Sequence, residues 1–441
     1  MLFEIGHDRL EQLFSFDGIC SAGHALTVPI GTLIVKIVSI GTLIAIEGEG
    51  FMTGLRVAVV GAGIGGLTAA IALRANGIEA TVYEQAHELK ALGAGVAIAT
   101  NGSRILTRLG LGDAVAAVAG PVTHYQFRTW QAQPIAGEPS TLSFGDPART
   151  WFLHRGDFQK VLAEALPADA LQLGRSCVDA VEHRAGVRVQ FADGTTADAD
   201  LVVGADGIHS RLQGKVTSPA EPVSEGIMAY RGLIPAERVS ATIDMHASSM
   251  WLGPRQSFLA YPVSAGRLLN IVAFVPTNLT VAESWTAPGD VAELAAAYRG
   301  WDPTISAVID AMDSTFRWGI YDREPLDRWS TDRITLLGDS AHAVTPHLGQ
   351  GANQAIEDAM TLAVLLRDAR SADLPARLRR YEQLRMGRTG HVRSQARAAG
   401  RIYRSTELTP VDQAGQLQSI LDSVAINTHD AEQVAETAIA A

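Results

Sequence analysis

The sequence predicts an α/β protein built around a Rossmann-like dinucleotide-binding unit. Residues 55–60 form a short β-branched apolar run that ends at Gly61, and a helix-like pattern follows. A second strand-like run, EATVYE, ends at Glu84. Two later apolar runs, 201–204 and 334–337, also end in turns that contain Gly and Asp. Strands that alternate with helices in this way are typical of a parallel sheet between layers of helices.

The composition is that of an ordinary globular protein and excludes several classes. Of the 441 residues, 47% are hydrophobic and 19% charged, which excludes a disordered or fibrous chain. The formal net charge of −11 leaves no basic surplus to neutralise phosphates, so we expect no nucleic-acid partner. The two cysteines, Cys20 and Cys177, are too few for a disulfide framework or a cysteine-rich metal site. We therefore predict no metal centre and a reducing, cytoplasmic setting.

The first 51 residues precede this pattern and leave three interpretations open. Residues 25–46 are apolar enough to suggest a membrane-spanning helix, but Lys36 lies near their centre and Pro29 interrupts them. The pentapeptide IGTLI occurs twice with β-branched residues between, which is typical of short strands. Met52 opens a sequence that resembles an ordinary amino terminus. We favour a natural start at Met52 and expect no membrane association.

The first turn has the spacing of a pyrophosphate-binding loop. In GxGxxG the first glycine permits the turn, the second lets the backbone approach a pyrophosphate, and the third lets helix and strand pack closely. The helix N-terminus offers free N–H groups to phosphates, and Glu84 would accept hydrogen bonds from a ribose diol. The pattern alone does not separate NAD from FAD. The predicted cofactor-binding residues of this loop are Gly61, Gly63, Ile64, Gly65 and Gly66.

Three later groups could contact the same cofactor. Arg155 directly precedes a helix and could reach phosphate or ribose, although a solvated charge is the plainer interpretation of this residue alone. Asp206 and Gly207 follow the buried-looking run 201–204, and by themselves they indicate only a turn. Asp339 follows the next such run, at the sheet edge where open α/β sheets bind ligands.

A glycine-containing loop and a helix come after Asp339. The loop contains Pro346, Gly349 and Gly351, and the helix would direct its positive end at whatever fills the loop. A reduced flavin is anionic around N1 and the C2 oxygen. The loop is therefore suited to hold a flavin.

Together these stretches resemble a known family. The GxGxxG turn with Glu84, the stretch GADGIHSR and the stretch GDSAHAVTPHLGQGANQAIEDA resemble the three fingerprints of class A flavoprotein monooxygenases, the single-component FAD-dependent aromatic hydroxylases. WLGPRQSFLAYPV and RWGIYDREPLDRWS are similar to the salicylate hydroxylase-like branch. The resemblance extends from Met52 to about Arg401. It implies a three-layer α/β FAD-binding domain of the glutathione reductase type, an inserted β-sheet substrate domain and C-terminal helices.

The resemblance also implies domain boundaries. The FAD-binding domain is expected to be discontinuous, because the substrate domain is inserted into it. The implied segments are 52–120, 151–215 and 325–400 for the FAD-binding domain, 121–150 and 216–324 for the substrate domain, 1–51 for an N-terminal extension and 401–441 for a helical tail.

Roles for individual cofactor-binding residues follow from the same resemblance. Glu84 would bind the adenosine ribose, Arg155 the adenosine-diphosphate side and Asp339 the ribityl chain. Asp206 and Gly207 would serve both FAD and NAD(P)H, which visits without a nucleotide-binding domain of its own. The backbone around the flavin ring would come from Pro346, Gly349, Gly351, Ala352 and Asn353.

The substrate-side residues are harder to assign. Strand alternation puts Tyr230 and Arg231 on opposite faces, and the resemblance favours Tyr230 near the substrate with a structural role for Arg231. Gly226 stands where several family members have a histidine that assists phenol deprotonation. His347 could contact a substrate carboxylate or phenol, or could be bonded to backbone, and Tyr261 is favoured as a core residue. The catalytic candidates are Tyr230, His347 and Pro346.

The implied activity is hydroxylation of a small aromatic, for which a hydroxylated aromatic acid resembling salicylate is the first choice. NAD(P)H would reduce the flavin and O2 would be activated at flavin C4a, while the protein excludes water and orients or deprotonates the phenol. Two alternatives remain open: the same chemistry on a heteroaromatic ring, a polyketide phenol or an alkene, and a flavin-binding protein without turnover. We expect a monomer or a homodimer.

Overall fold

The computed structural model describes residues 25–30, 33–40, 43–49, 53–89, 94–143, 145–219, 221–278 and 287–440. The chain divides into two compact units, of which the first ends at Gly54 and the second spans Leu55–Ala441. Cys20 and Met52, the latter favoured above as the natural start, lie outside the described residues.

The first unit contains a three-stranded antiparallel sheet. Its strands are β1 (Ala25–Ile30), β2 (Leu33–Ile40) and β3 (Leu43–Glu49), paired in that order. The strand interpretation of this segment therefore agrees with the structure, and the interpretation as a spanning helix does not. Among the described residues, no helix has the length and apolar character needed to cross a membrane.

A five-stranded sheet forms the centre of the second unit and carries the dinucleotide-binding turn. Strand order is β20-β13-β4-β5-β9, and β13 pairs in parallel with both of its neighbours. The three apolar runs predicted as strands are present in it, because continuous β-branched runs are stable where both sheet faces are covered. The strands are β4 (Thr53–Val60), β5 (Ile78–Tyr83), β9 (Leu171–Gln172), β13 (Leu201–Gly204) and β20 (Ile334–Leu336).

Helices cover this sheet, and the pair α1 and α9 packs closely within its largest apolar cluster. The helix Ile64–Ala75 is capped by Asn76, and the next residue, Gly77, takes a φ of +76° that favours glycine. The helices of the described residues are α1 (Ile64–Ala75), α2 (Thr100–Arg108), α3 (Gly112–Val118), α4 (Arg155–Glu164), α5 (Gln213–Val216), α6 (Val291–Ala297), α7 (Pro303–Asp310), α8 (Asp339–His342), α9 (Gly351–Leu366), α10 (Leu374–Tyr403), α11 (Pro410–Ser423) and α12 (Ala431–Ala440).

A seven-stranded mixed sheet is the second large layer, in the order β18-β19-β14-β17-β16-β15-β7. Strand β7 pairs in parallel with β15, and the other pairs are antiparallel. Its strands are β7 (His124–Thr129), β14 (Val223–Pro235), β15 (Ala247–Gly253), β16 (Gln256–Val263), β17 (Leu268–Pro276), β18 (Pro288–Gly289) and β19 (Thr315–Asp322).

Two small sheets complete the described strands. Strand β6 (Gly95–Ile98) pairs antiparallel with β8 (Trp151–His154), directly before α4. Strands β10 (Cys177–His183), β11 (Gly186–Phe191) and β12 (Thr196–Ala199) form an antiparallel meander before β13. A turn at Asp193–Gly194 connects β11 and β12.

The two faces of the seven-stranded sheet differ. One face packs against α6 and α7 around a core that includes Tyr230 and Phe258. The opposite face carries a smaller cluster with Ala229 and Val272, and strand alternation places Arg231 on that face as well. Which face meets the dinucleotide-binding elements therefore decides which side chains belong to the site.

Candidate functional site

The three glycines of the first turn have distinct surroundings. Gly61 has a φ of +106°, and a Cβ there would lie 2.4 Å from the Ala205 carbonyl oxygen. A Cβ on Gly66 would lie 2.0 Å from the Gly61 carbonyl oxygen, so this glycine permits close packing of helix and strand. Gly63 precedes the first residue of α1, Ile64, and a Cβ there would meet nothing within 4 Å. The backbone N–H groups of this helix N-terminus are therefore open to the approach of a phosphate.

Two neighbouring residues, Gly65 and Glu84, fix the position of this turn. A Cβ on Gly65 would lie 2.8 Å from Leu337 Cδ2, which explains how α1 approaches the strand end before Asp339. Glu84 accepts hydrogen bonds from the N–H groups of Ala62 at 2.8 Å and Ala86 at 2.9 Å. Each carboxylate oxygen keeps a second lone pair, so these bonds orient Glu84 and leave it able to accept from a ribose hydroxyl.

Arg155 links two of the other predicted residues. It is the first residue of α4, and burial lowers its pKa while the carboxylates of Asp339 and Glu84 act in the opposite direction. The fold therefore places Glu84, Arg155 and Asp339 close enough for their charges to influence one another, although they are far apart in the chain. Their arrangement is that expected for residues that hold one extended cofactor.

The Asp206–Gly207 turn is joined to the segment after β20 by a residue that the sequence analysis missed. Ser340 Oγ donates to Asp206 Oδ1 at 3.1 Å and accepts the Gly207 N–H at 2.8 Å. Asp206 Oδ2 also accepts the Arg211 N–H at 2.8 Å. The buried Ser340 directly follows Asp339, and its position next to that residue was the available signal.

The loop predicted to hold the flavin ring has left-handed backbone at its centre. Pro346 begins a single 3-10 turn, Pro346–Leu348, and Gly349 follows with a φ of +62°. Gly351 begins α9, and a Cβ there would lie 3.9 Å from Asp339 Oδ1. Ala352 occupies the second position of the same helix. The N-terminus of α9 thus lies beside the carboxylate at the end of β20.

The side chain of Asn353 stabilises this loop through three hydrogen bonds. Its Oδ1 accepts the Ala99 N–H at 2.9 Å, and its Nδ2 donates to the carbonyls of Ala97 at 3.0 Å and Gly349 at 2.9 Å. The side chain is fully buried. A contact between Asn353 and a flavin would therefore use its backbone, as the family resemblance implies.

A buried ionic network lies beneath the loop. Arg385 of α10 donates to Glu357 Oε2 and to Asp358 Oδ1, both at 2.6 Å. Asp358 Oδ2 accepts the Gly338 N–H at 3.0 Å and is 2.5 Å from His342 Nε2. Burial alone would raise the pKa of Glu357, but Arg385 and nearby cations hold it at about 2. The network therefore fixes the backbone that carries Asp339.

Tyr230 lies on the face of the seven-stranded sheet that α6 and α7 cover. The family resemblance favoured this residue near the substrate. Its hydroxyl donates to Glu293 Oε2 at 3.2 Å, within the core between the sheet and α6. Burial, followed by Glu293, raises its pKa to about 12. Alternation correctly separates Tyr230 from Arg231, but the sequence contains no signal for which of the two faces is covered by helices.

Arg231 lies on the other face of β14. Its guanidinium carbon is 5.3 Å from the centre of the Trp318 ring. Burial lowers its pKa to about 10, Tyr261 opposes this shift, and the positive charge of Arg155 adds to it. Burial also raises the pKa of Tyr261 to about 12, against the effect of Arg231. Arg231 and Tyr261 therefore belong to the face that approaches the flavin-binding residues.

The side chain of His347 is paired with an acidic residue and not with backbone. The side chain is buried, and its Nε2 is 3.0 Å from Glu225 Oε2, which also accepts from Arg404 at 2.8 Å. Burial would raise the pKa of Glu225, but the hydrogen bonds and charges of His347 and Arg404 lower it below its usual value. His347 Nδ1 has no hydrogen-bond partner among the described residues.

The fold and this loop geometry define an α/β protein with an extended dinucleotide-binding site, and comparison with known proteins identifies its family. A family model described as an FAD binding domain matches residues 54–396. The chain is 41% identical over 348 residues to a 3-amino-4-hydroxybenzoate 2-monooxygenase of Streptomyces cremeus, covering 78% of this chain and 86% of that protein. It is 35% identical over 346 residues to a 6-hydroxynicotinate 3-monooxygenase of Pseudomonas fluorescens, covering 76% and 89%.

A solved structure supports the same assignment. A salicylate hydroxylase in complex with its substrate superposes with a TM-score of 0.75 at 29% identity, covering 88% of this chain and 98% of the other. This chain belongs to the class A flavoprotein monooxygenases. It is an FAD-dependent aromatic monooxygenase, and NAD(P)H is the co-substrate typical of such enzymes. The predictions of fold class, family and cofactor are confirmed.

The residues present fit FAD. The open space at Gly63 would admit a phosphate, and Glu84, Arg155 and Asp339 would supply further phosphate and hydroxyl contacts. When bound, FAD supplies the redox chemistry with NAD(P)H and O2. The chain itself would bind and orient the cofactor, and the loop at Gly349 would direct backbone N–H groups at the ring.

Two glycine substitutions should separate cofactor binding from folding. Gly63→Ala adds a methyl group to open space at a φ of −68°, so we expect an unchanged thermal midpoint without FAD and weaker FAD binding. Gly66→Ala forces a Cβ against the Gly61 carbonyl, and we expect a loss of roughly 1–3 kcal/mol in stability. Thermal unfolding of the apoprotein and FAD titration measure both effects. A Gly63→Ala variant with wild-type FAD affinity would contradict the pyrophosphate assignment.

Removing the cation of the buried network should destabilise the protein in a pH-dependent way. Arg385→Met leaves two carboxylates buried without their main partner, a loss of roughly 3–5 kcal/mol near neutral pH. In the wild type, the lowered pKa of Glu357 contributes stability that is complete above the ordinary value of 4.5 and is lost as the pH falls toward about 2. In the variant, acidification neutralises the buried charges.

Urea unfolding at neutral pH and near pH 5 measures this effect. We expect the difference between Arg385→Met and wild type to shrink on acidification. Arg379→Met is the matched control, because Arg379 is exposed on the same helix. Equal losses at both pH values would show that the network acts through packing and not through charge.

Proposed function

We propose that this enzyme hydroxylates a small aromatic acid that carries a phenolic hydroxyl, and that Arg231 and Tyr261 recognise its anionic group. The observation that carries the proposal is the position of Arg231, a half-buried cation that shares its face of the sheet with Tyr261. Burial, the largest cause, lowers the pKa of Arg231, and Arg155 adds to this shift while Tyr261 opposes it, so burial imposes a cost on the charged form. An anion beside Arg231 would offset that cost, and the Tyr261 hydroxyl could donate to the same group.

The relatives support this substrate class. Their names specify 3-amino-4-hydroxybenzoate, 6-hydroxynicotinate and salicylate, each an aromatic ring with a carboxylate and a hydroxyl group. The first is an aminohydroxybenzoate and the second a pyridine, so either ring type is compatible with the proposal. The 41% identity makes 3-amino-4-hydroxybenzoate the first compound to test.

His347 is the proposed acceptor for the phenolic proton. Aromatic hydroxylation by a flavin enzyme needs an electron-rich ring, which deprotonation of the phenol provides. His347 is buried next to Pro346 in the loop that would hold the flavin, and Nδ1 is available while Nε2 faces Glu225. A proton taken up by the imidazole would be stabilised by the Glu225 carboxylate.

Substrate-dependent NAD(P)H oxidation tests the proposed class. The purified FAD enzyme is mixed with benzoates, hydroxybenzoates, aminohydroxybenzoates, hydroxynicotinates, uncharged phenols and alkenes, and the rate of NADH or NADPH consumption is recorded. We expect acceleration by at least one hydroxylated acid, with one atom of ¹⁸O from ¹⁸O2 in the product. A panel in which only uncharged phenols or alkenes are oxygenated would overturn the proposal.

Arg231→Met should raise the KM for the acidic substrate. The loss of a buried charge partner corresponds to about 30-fold or more in KM, and analogues without the carboxylate should be affected much less. Tyr230→Phe is the matched control, because it removes only the hydroxyl bonded to Glu293 on the helix-covered face. If Tyr230→Phe raises KM and Arg231→Met does not, the original assignment of Tyr230 was correct.

His347→Gln should lower kcat more than it raises KM. Loss of a proton acceptor costs roughly 10²–10⁴ in rate, and the rate should recover at high pH, where the substrate ionises unaided. The comparison variant is Tyr403→Phe, which removes only a 3.4 Å hydrogen bond to the His347 carbonyl. A His347→Gln rate that falls equally at every pH would indicate a structural role.

A further inference from the structure

Asn270 of β17 is a buried amide whose orientation is fixed at one end. The side chain is fully buried, and its Oδ1 accepts the Gly95 N–H at 2.6 Å. A backbone N–H only donates, so the atom facing Gly95 is the amide oxygen and the NH2 group faces elsewhere. This Nδ2 has no hydrogen-bond partner among the described residues. An amide donor buried without a partner is unusual, and it indicates a group that a ligand completes.

The approach of the two layers at this point depends on glycine. A Cβ on Gly95 would lie 2.6 Å from Asn270 Cγ and 2.6 Å from the Tyr261 hydroxyl oxygen. Strand β6 can therefore lie against the substrate-domain sheet only where residue 95 has no side chain. The hydrogen bond from Gly95 fixes the orientation of the amide, because turning it over would place two donors together.

Asn270 shares its face with the proposed anion-binding residues. In the sheet register it pairs with Tyr261 on one side and with Leu233 on the other. Arg231 is two residues from Leu233 along β14, so strand alternation puts Arg231 on the same face, diagonal to Asn270. The three polar side chains therefore form one polar patch on the face that meets β6.

We propose that Asn270 determines specificity by donating one hydrogen bond to an acceptor atom of the substrate. This inference rests on the proposed function and refines it. The fixed amide offers only a donor, so a phenolic or phenolate oxygen, or a carboxylate oxygen, satisfies it. An amino group in the same place would put two hydrogen-bond donors next to each other, and neither would find an acceptor there. The site therefore favours a ring hydroxyl over a ring amine at the position that faces Asn270.

The test compares ligands that differ in a single group. Binding of benzoate, 4-hydroxybenzoate, 4-aminobenzoate, salicylate and anthranilate to the FAD-loaded enzyme is measured by the change in flavin absorbance. We expect the wild type to prefer the hydroxy member by about tenfold or more in the pair whose group faces Asn270. Asn270→Asp keeps the acceptor for Gly95 and replaces the donor with an oxygen, so it should abolish or reverse that preference.

A second variant covers the case in which the carboxyl group introduced by Asn270→Asp takes up a proton. Asn270→Leu has a similar volume and no donor, and it should bind the hydroxy and amino ligands within about threefold of each other. FAD content and the thermal midpoint identify a variant that fails to fold. If one variant fails to fold, the ratio of the affinities for the hydroxy and amino ligands is taken from the other variant.

Each remaining outcome overturns a different statement. Wild-type selectivity in both variants would refute the role of Asn270. A variant that shifts the absorbance or reduction potential of bound FAD in the absence of any ligand, with ligand selectivity unchanged, would show that Nδ2 serves the cofactor. A wild type that binds none of the aromatic acids would refute the proposed function itself, and this inference with it.

Discussion

The structure of the flavin site depends on two adjacent carboxylates buried in the middle of α9. Glu357 and Asp358 are inaccessible to solvent, and only a closely paired cation makes this arrangement stable. Arg385 spans both of them with its guanidinium, and Asp358 uses its second oxygen to hold the Gly338 N–H. One ion cluster thus couples α10, α9 and the end of β20. Asp339 is presented at a fixed position because its neighbour Gly338 is tied to this cluster.

A second constraint is steric and acts where layers touch. The Gly66 position admits no Cβ because the Gly61 carbonyl is adjacent, and the Gly95 position admits none because Tyr261 and Asn270 are adjacent. The first contact shapes the phosphate-binding turn. The second brings the substrate-domain sheet against β6. Cofactor and substrate surfaces therefore converge through backbone approaches that glycine alone permits.

The sequence was sufficient for features that depend on local pattern. The strands before Gly61 and Asp339 and the functions of the glycines follow from periodicity and spacing, because neighbouring residues determine them. The face of β14 was not predictable. Tyr230 and Arg231 are adjacent in sequence, and their surroundings are decided by α6 and α7, which come much later in the chain.

Residues that act through long-range pairs were missed for the same reason. Ser340 is an ordinary serine until the fold places it beside Asp206, and Asn270 is one polar residue within an apolar strand until Gly95 fixes its amide. The basic stretch around Arg385 has the composition of a solvated helix face, and composition gives no information about which charge is turned inward.

Electrostatics connects the cofactor and substrate sides of the site. The chain carries a formal net charge of −11, yet Arg155 and Arg231 lie near enough within the fold for the charge of Arg155 to lower the pKa of Arg231. These two like charges repel each other. Phosphate groups beside Arg155 would relieve that repulsion and leave Arg231 better able to hold a carboxylate. Under the proposed function, an acidic protein would bind both an anionic cofactor and an acidic substrate, because two of its cations lie near each other in the fold.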